Sequence, residues 1–344
     1  MPEDAQYTLQ HHQRPLLESK FHPPRLHASL IERERLLWRL AAIREHRLTL
    51  LCAPAGFGKT TAINQWIEHN RMNGLNRPFA WVSLEKSDND PLRFWRYVIT
   101  ACQTLHDGLG HASLAQLSTE RLPFEMPSLE MALMLLLNDI ARLTGDDGLD
   151  LFLIIEDYHA ITHPLIHETM TFFLDHLPAQ LHVVTLSRSE PPLPLARWRA
   201  RGDLYEIHAT DLRFSRGEMS QFFQQALALP PSTLSIEALD QLETRLEGWA
   251  AGLRLLALTL QGNADQRKIE SLLAFFAGDQ RSLQDYFASE VLGIQSESRQ
   301  DFLLRTSILS RLTGSLCDAI AERDDSNRLL EEIERAGIFL ESLD

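Results

Sequence analysis

The chain has 344 residues, of which 47 are acidic and 33 are basic, so its formal net charge is −14. This length predicts two or three domains, and the excess of acids excludes a surface built mainly to grip a nucleic-acid backbone, which needs clustered Lys and Arg. No run approaches 18 apolar residues, and residues 1–15 lack the apolar core of a signal peptide, so we expect a cytoplasmic protein without a membrane span.

Five short apolar segments alternate with helical stretches in the first two thirds of the chain. The central segments are almost entirely apolar, which is typical of strands buried on both faces of a sheet. This alternation predicts an α/β fold with three layers, a parallel sheet between two layers of helices. The predicted strands are Leu48–Cys52, Phe79–Leu84, Leu151–Ile155, Leu181–Leu186 and Leu204–Ile207, and the predicted helices include Ile31–His46, Pro91–Leu105 and Leu129–Leu143.

Only helices are predicted for a long stretch after residue 212. Ser215 and Glu218 have the spacing of a capping box, and one long helix, Ile236–Gln261, carries Trp249 and six leucines in a stripe that we assign to a hydrophobic core. Three helices and a strand near the carboxyl end resemble a winged helix, which we expect to be incomplete because the chain ends where a second wing strand should come. The other elements are helices Glu218–Ala228, Ile269–Phe276, Leu283–Leu292, Gln300–Ser307, Leu316–Arg323 and Arg328–Ala336 and strand Ile338–Leu340.

The segment that follows the first predicted strand has the pattern of a phosphate-binding loop. Gly56 and Gly58 let the backbone bend so that successive N–H groups point at a phosphate. Lys59 supplies a mobile cation, and the Thr60 hydroxyl can ligate Mg²⁺. The strict pattern begins with Gly, whereas this chain has Ala53, and an ordinary strand–turn–helix connection is the alternative. We predict a nucleoside triphosphate site formed by Ala55, Gly56, Phe57, Gly58, Lys59, Thr60 and Thr61.

Two acids, Glu156 and Asp157, follow the third predicted strand, about 100 residues after the phosphate loop. In such a pair one carboxylate holds Mg²⁺ through water and the other polarises the attacking water. By position we assign Glu156 to the metal and Asp157 to the water, and the reverse assignment stays open.

Other polar residues lie close to the predicted strand ends. Arg188 follows the fourth strand, where it can sense a γ-phosphate, because ligands bind at that edge of a parallel sheet. His159 can line the nucleotide pocket. Pro164 breaks the helical spacing of the nearby histidines, and the three cysteines are far apart, so we expect no metal site of His or Cys residues. Arg197, Arg199 and Arg201 form a basic patch that we expect to be a loop or a subunit contact rather than a nucleic-acid site.

Together these residues resemble a known family. The segments 53–61, 154–159, 186–188 and 248–253 are similar to the MalT-like branch of the LuxR-type large ATP-binding regulators, which are STAND-class ATPases. The resemblance covers residues 19–344. It adds Arg33, which lies in a segment similar to the family's nucleotide-contacting arm. Glu156 departs from the pattern, since many relatives have Asp there.

The resemblance implies an ATP/ADP-dependent switch that binds Mg²⁺, associates with itself in the ATP state and responds to an inducer. It also implies a sensor and a DNA-binding helix-turn-helix, which we do not find in this sequence, so we expect DNA contact only through the missing part. The implied organisation is a flexible arm (1–20), a P-loop nucleotide-binding domain (21–212), a helical lid domain (213–280) and a winged-helix domain (281–344). A rapid-turnover ATPase and an interaction module that holds ADP structurally are the alternatives.

Overall fold

The computed structural model describes residues 15–25, 30–75, 77–119, 126–143, 150–227, 236–260, 292–293, 295–309 and 311–335. The chain divides into two compact units. The first takes in the described residues of Met1–Leu26, Glu34–Cys52 and Thr60–Ile207, and the second takes in those of His27–Arg33, Ala53–Lys59 and His208–Asp344. The domain boundaries that the sequence suggests at residues 20, 212 and 280 stay predictions.

A five-stranded sheet forms the centre of the first unit. Its strands are β1 (Leu48–Cys52), β2 (Phe79–Ser83), β3 (Leu151–Glu156), β4 (Leu181–Ser187) and β5 (Leu204–His208). They lie in the order β2-β3-β4-β1-β5, and the pairs β2–β3, β3–β4 and β1–β4 are parallel. Every residue of β3 and β4 is buried, as their apolar sequences require. The five predicted strands are therefore confirmed to within one residue at their ends.

The described α-helices surround this sheet or form the second unit. They are α1 (Glu34–Leu40), α2 (Lys59–Met72), α3 (Pro91–Cys102), α4 (His111–Thr119), α5 (Met126–Arg142), α6 (Pro164–Asp175), α7 (Leu195–Arg201), α8 (Ala209–Leu212), α9 (Arg216–Ala226), α10 (Ile236–Leu246), α11 (Ala250–Leu260), α12 (Glu297–Thr306), α13 (Gly314–Ala321) and α14 (Ser326–Arg335). None of them is long and apolar enough to cross a membrane.

The strand register brings polar residues to one edge of the sheet. Ser83 at the end of β2 pairs with Glu156 at the end of β3, and Cys52 at the end of β1 pairs with Ser187 at the end of β4. Because the strands are parallel, these four carboxyl ends share one edge, and the chain segments that follow them start there.

The core of the first unit is rich in aromatic side chains from α3. Phe94, Trp95 and Tyr97 are fully buried, and burial of each large apolar side chain contributes about 1.5–3 kcal/mol to the free energy of unfolding. Tyr97 also anchors the end of the predicted arm, since its hydroxyl accepts a hydrogen bond of 3.1 Å from the backbone N–H of Leu17. Lys20 pairs with the fully buried Asp88, so this stretch of the arm is fixed to the unit.

The prediction of a single long helix from Ile236 to Gln261 is wrong, because a break in the helical structure separates α10 from α11. Glu247 and Gly248 at the break have left-handed φ angles of 46° and 70°, which end α10. The assignment of the stripe to a hydrophobic core is confirmed for its described side chains, all of which are buried: Leu239, Leu242, Leu246, Trp249, Leu253 and Leu256. The stripe therefore marks buried positions on two helices instead of one.

The capping box at the start of α9 is confirmed. The Glu218 carboxylate accepts a hydrogen bond of 2.7 Å from the Ser215 backbone, and the Ser215 hydroxyl accepts one from the Glu218 backbone. A separate cluster of buried side chains joins α12, α13 and α14, with Phe302, Cys317 and Ile333 fully buried. The predicted elements Ile269–Phe276, Leu283–Leu292 and Ile338–Leu340 lie outside the described residues, apart from position 292.

Candidate functional site

The predicted phosphate loop connects β1 to α2, and its backbone has the curvature that phosphate binding requires. Gly56 and Gly58 have φ angles of 78° and 80°, in the left-handed region that favours glycine. Lys59, the first residue of α2, is 8% exposed. Its ammonium group donates hydrogen bonds of 2.5 and 3.0 Å to the carbonyl oxygens of Ala53 and Pro54. The loop backbone therefore surrounds the ammonium group of Lys59 and accepts its hydrogen bonds.

A chain of hydrogen bonds starts at the second residue of α2. The Thr60 hydroxyl donates to Oε1 of Glu156 at 2.5 Å, and the Ser83 hydroxyl donates to Oε2 of Glu156 at 2.6 Å. Ser83 in turn accepts a hydrogen bond of 2.9 Å from the indole of Trp81. Thr61, the next residue of α2, is half-buried. Both oxygens of the Glu156 carboxylate are thus oriented by hydroxyl groups.

Asp157 differs sharply from its neighbour Glu156. It follows the end of β3 in a left-handed conformation with φ of 56°, and its side chain is 44% exposed. Nδ1 of His159 lies 3.7 Å from its carboxylate. Left-handed backbone in a residue other than Gly is strained and is common at functional sites. The sequence-predicted pair therefore consists of one enclosed and one accessible carboxylate.

Arg188 follows β4 directly, at the same sheet edge as the acid pair, and is half-buried. The buried Ser187 before it donates a hydrogen bond of 2.5 Å to the carbonyl oxygen of Ser189, which fixes the turn after the strand. This location agrees with the one expected from the sequence, and the role of Arg188 toward a phosphate stays a prediction.

Arg33 belongs to the second unit and is 5% exposed. Its guanidinium donates a hydrogen bond of 2.7 Å to the carbonyl oxygen of Arg213 and forms an ion pair with Glu218. It also lies 4.1 Å from the ring centroid of Phe214, a cation–π contact. The nucleotide contact that the resemblance implies for Arg33 stays a prediction.

The phosphate loop also contacts the start of α11 and the residue before it. Trp249 donates a hydrogen bond of 3.2 Å from its indole nitrogen to the carbonyl oxygen of Ala55, and the backbone N–H of Ala251 donates one of 2.9 Å to the carbonyl oxygen of Gly56. Phe57, the next loop residue, is 5% exposed. Two consecutive loop carbonyls are thus held by one end of a helix.

The three histidines after β3 have separate environments. His163 caps α6, because its Nδ1 accepts a hydrogen bond of 3.2 Å from the Leu165 backbone. His167 is buried and its Nδ1 lies 3.0 Å from the hydroxyl of Tyr158. Burial lowers the pKa of His167, and the nearby His163 lowers it further. Burial also raises the pKa of Tyr158 well above its usual value. The imidazole of His167 and the phenol of Tyr158 therefore stay neutral near pH 7.

The basic patch after β4 is a helix, α7, so the expectation of a loop is wrong. Its arginines pair with acids of the same unit. Arg197 donates to Asp175 at 2.5 Å, and Arg199 donates two hydrogen bonds of 2.7 Å to Glu206. Arg201 lies 3.9 Å from Asp175. Much of the positive charge of α7 is thus balanced by acids of the same unit, so little unpaired charge is left to bind a nucleic-acid backbone.

Sequence reasoning missed Ser83, Trp81 and the contact of Trp249 with the loop. Ser83 ends an apolar strand and carries no motif, and only the strand order shows that it faces Glu156. The apolar stripe assigns Trp249 to the core, and its side chain is indeed only 5% exposed. The glycines on either side of it, at 248 and 252, were the one available sign of a tightly packed turn.

Both the sequence and the fold of the chain are similar to those of known proteins. Residues 288–344 match the model of the MalT winged helix domain. The HTH-type transcriptional regulators MalT of Yersinia enterocolitica and Serratia proteamaculans are 36% and 35% identical over 330 and 331 residues. Each alignment covers 96% of this chain and 34% of the relative, so the chain spans about a third of the length of the curated relatives it matches.

A solved structure is similar in fold along most of the chain. A Walker-type ATPase of Pyrococcus abyssi superposes with a TM-score of 0.57 and 12% identity, covering 94% of each chain. This likeness concerns the fold alone. The chain is therefore similar to the MalT regulators over 96% of its own length, its fold resembles that of a Walker-type ATPase, and residues 288–344 match a winged helix domain.

Proposed function

We propose that the chain is the ATP/ADP-dependent switch of a transcriptional regulator, which binds Mg–ATP at the phosphate loop and hydrolyses it slowly to reset. The hydrogen bond from Thr60 to Glu156 carries this proposal, because it joins the residue after the loop lysine to a strand-end carboxylate. The regulatory part rests on the similarity to proteins named as HTH-type transcriptional regulators.

The residues present fit a magnesium nucleotide. Gly56 and Gly58 have the left-handed backbone that turns loop N–H groups toward an anion, and Lys59 begins the helix that follows. Thr60 and Glu156 offer oxygen atoms, which are the ligands that Mg²⁺ prefers. When bound, the magnesium triphosphate supplies the phosphoryl group and a cation that neutralises its oxygens.

Lys59, Thr60 and Glu156 have different roles in binding the magnesium nucleotide. Lys59 has three N–H bonds, two of which reach the carbonyls of Ala53 and Pro54, so its ammonium group is already held in the loop. The Thr60 hydroxyl gives its only proton to Glu156, which leaves its oxygen lone pairs for a metal. Glu156 therefore acts by orienting Thr60 and metal-bound water.

Asp157 is the residue that we assign to the attacking water. Its carboxylate is 44% exposed, whereas both oxygens of Glu156 accept hydrogen bonds from hydroxyl groups. We assign Arg188 to the γ-phosphate because it follows β4 at the same sheet edge. His159, close to Asp157, and Arg33 are proposed to line the nucleotide pocket.

Slow hydrolysis suits a switch, because a nucleotide shifts a conformational equilibrium only by its difference in affinity for the two states. We propose that ATP and ADP favour different conformational states and that the ATP-bound state self-associates. An inducer is proposed to shift the equilibrium between the two states. DNA contact is proposed to occur through a helix-turn-helix outside these 344 residues, in a cytoplasmic regulator.

The proposal is tested by nucleotide content and turnover. Mass spectrometry of the supernatant after denaturation identifies any nucleotide that co-purifies, and calorimetry gives the affinities for Mg–ATP and ADP. We expect binding of both and turnover far below the enzyme median of about 10 s⁻¹. Turnover near that median would support a metabolic or motor ATPase instead, and a nucleotide that never exchanges would support a structural cofactor.

A further inference from the structure

Trp249, which directly precedes α11, and Ala251, in the first turn of α11, bind the carbonyl groups of the phosphate loop. The indole of Trp249 donates to the carbonyl of Ala55, and the N–H of Ala251 donates to the carbonyl of Gly56. We propose that Trp249 is a positioning residue for the phosphate loop and that docking of α11 is coupled to nucleotide affinity. This inference rests on the proposed function and adds the means of its regulation.

The coupling follows from peptide geometry. In a trans peptide the C=O and the N–H of one plane point in opposite directions. The Ala55 carbonyl shares its plane with the Gly56 N–H, and the Gly56 carbonyl shares its plane with the Phe57 N–H. Donors that fix the two carbonyls therefore fix two successive N–H groups toward the opposite side, which is the arrangement that binds an anion.

The sequence around Trp249 is built for this contact. Gly248 has a φ of 70°, and a Cβ there would lie 2.4 Å from the carbonyl oxygen of Phe214. Its own carbonyl accepts a hydrogen bond of 2.9 Å from the Phe214 backbone. At Gly252, a Cβ would lie 2.5 Å from the Trp249 ring. The two glycines thus allow the close approach that directs the indole toward the loop.

Arg33 contacts the same network through Phe214 and Arg213. Its guanidinium lies 4.1 Å from the centroid of the Phe214 ring and donates a hydrogen bond to the adjacent carbonyl oxygen of Arg213, so it holds the backbone that Gly248 contacts. A change that disturbs this packing withdraws the donors from Ala55 and Gly56. Because linkage is reciprocal, a phosphate bound on the N–H side must strengthen the docking of α11 by the same factor.

Two variants of the full chain test the coupling by calorimetric affinity for ATP and ADP. Trp249→Phe removes the indole N–H, and Gly252→Ala displaces the indole while favouring the helix. We expect each variant to lower the affinity for both ATP and ADP about fivefold, which corresponds to about 1 kcal/mol for the loss of one hydrogen bond. Trp198→Phe in α7 is the matched control: it removes a part-buried hydrogen bond of 2.8 Å from the indole to Asp175 at the end of α6, and it should keep the nucleotide affinity of the unaltered chain.

Hydrogen exchange tests the same coupling without a mutation. In the unaltered chain, saturating ADP should slow exchange of the Ala251 amide about fivefold. Unchanged exchange, or equal affinities in the Trp249 and Trp198 variants, overturns the coupling while leaving the proposed function intact. An unaltered chain that binds no nucleotide overturns the proposed function and this inference together.

Discussion

Ser83 and Glu156 face each other at the ends of two neighbouring parallel strands, and the serine hydroxyl donates a hydrogen bond of 2.6 Å to the carboxylate. The Thr60 hydroxyl holds the other carboxylate oxygen. A glutamate has one more rotatable bond than an aspartate, so two donors on opposite oxygens limit where its carboxylate can lie. Ser83 thus compensates for the longer side chain at this position.

Removal of the Ser83 hydroxyl should therefore loosen Glu156. We expect Ser83→Ala to lower magnesium-dependent turnover about tenfold, since a hydrogen bond to a charged group contributes about 1.5–3 kcal/mol. The affinity for ADP without magnesium should change little. Ser83→Thr retains the hydroxyl and should retain most of the turnover, measured by phosphate release. Equal loss in both variants would show that the hydroxyl does not matter.

Lys59 supplies the loop's cation, so Lys59→Ala should weaken ATP binding about a hundredfold or more. This estimate corresponds to about 3 kcal/mol for a charge-assisted contact with phosphate. Calorimetric titration measures the change. Lys86→Ala, at an exposed lysine, is the control and should bind like the unaltered chain. Unchanged ATP affinity in Lys59→Ala would refute the site.

Asp157→Ala should retain nucleotide binding and lose hydrolysis. The reason is that its exposed carboxylate is assigned to the attacking water, and loss of a general base typically costs 10²–10⁴-fold in rate. Single-turnover hydrolysis with matched ATP affinities is the measurement. Asp107→Ala, at another exposed acid, should hydrolyse normally. Normal hydrolysis by Asp157→Ala would favour the reverse assignment of the two acids.

The sequence was sufficient to predict the strands and the turn that follows the first of them, because both depend on local patterns. The apolar run from Leu48 to Cys52 and the glycines after it are contiguous, and the structure has a strand and a left-handed turn there. The partner of Glu156 could not be predicted in the same way. Ser83 lies 73 positions away, and only strand order and register bring the two together.

The break between α10 and α11 is a second feature that the sequence pattern could not predict. Periodicity continues through Trp249, so the apolar stripe alone predicts one helix. The break depends on the backbone of Phe214, which lies against Gly248 and comes from another part of the chain. Tertiary contact therefore overrides the local pattern, and it does so where the chain places an indole beside the phosphate loop.

Gly248→Ala should destabilise the protein by about 2 kcal/mol or more. The left-handed conformation alone costs an L-residue about 1–2 kcal/mol, and the added Cβ would meet the Phe214 backbone at 2.4 Å. Gly217→Ala in α9 is the opposite control, because open space surrounds that position and alanine favours a helix by about 1 kcal/mol. Urea denaturation should move the two midpoints in opposite directions.

His167 should make stability depend on pH in the acidic range. Its pKa is lowered in the fold, chiefly by burial, and its Nε2 has no hydrogen-bond partner in the described part of the chain. Below the unfolded pKa of about 6.5 the unfolded state binds more protons, so the free energy of unfolding should fall as the pH drops from about 6.5 toward the folded pKa. Above that window this group contributes no slope.

The glutamine variant isolates this effect. His167→Gln can still pair with the Tyr158 hydroxyl but does not titrate, so its unfolding free energy should fall less steeply with pH below about 6.5. Chemical denaturation at several pH values between 5 and 8 is the measurement. His106→Gln, at an exposed turn, should keep the slope of the unaltered chain. Identical slopes in all three proteins would mean that His167 keeps the same proton affinity folded and unfolded.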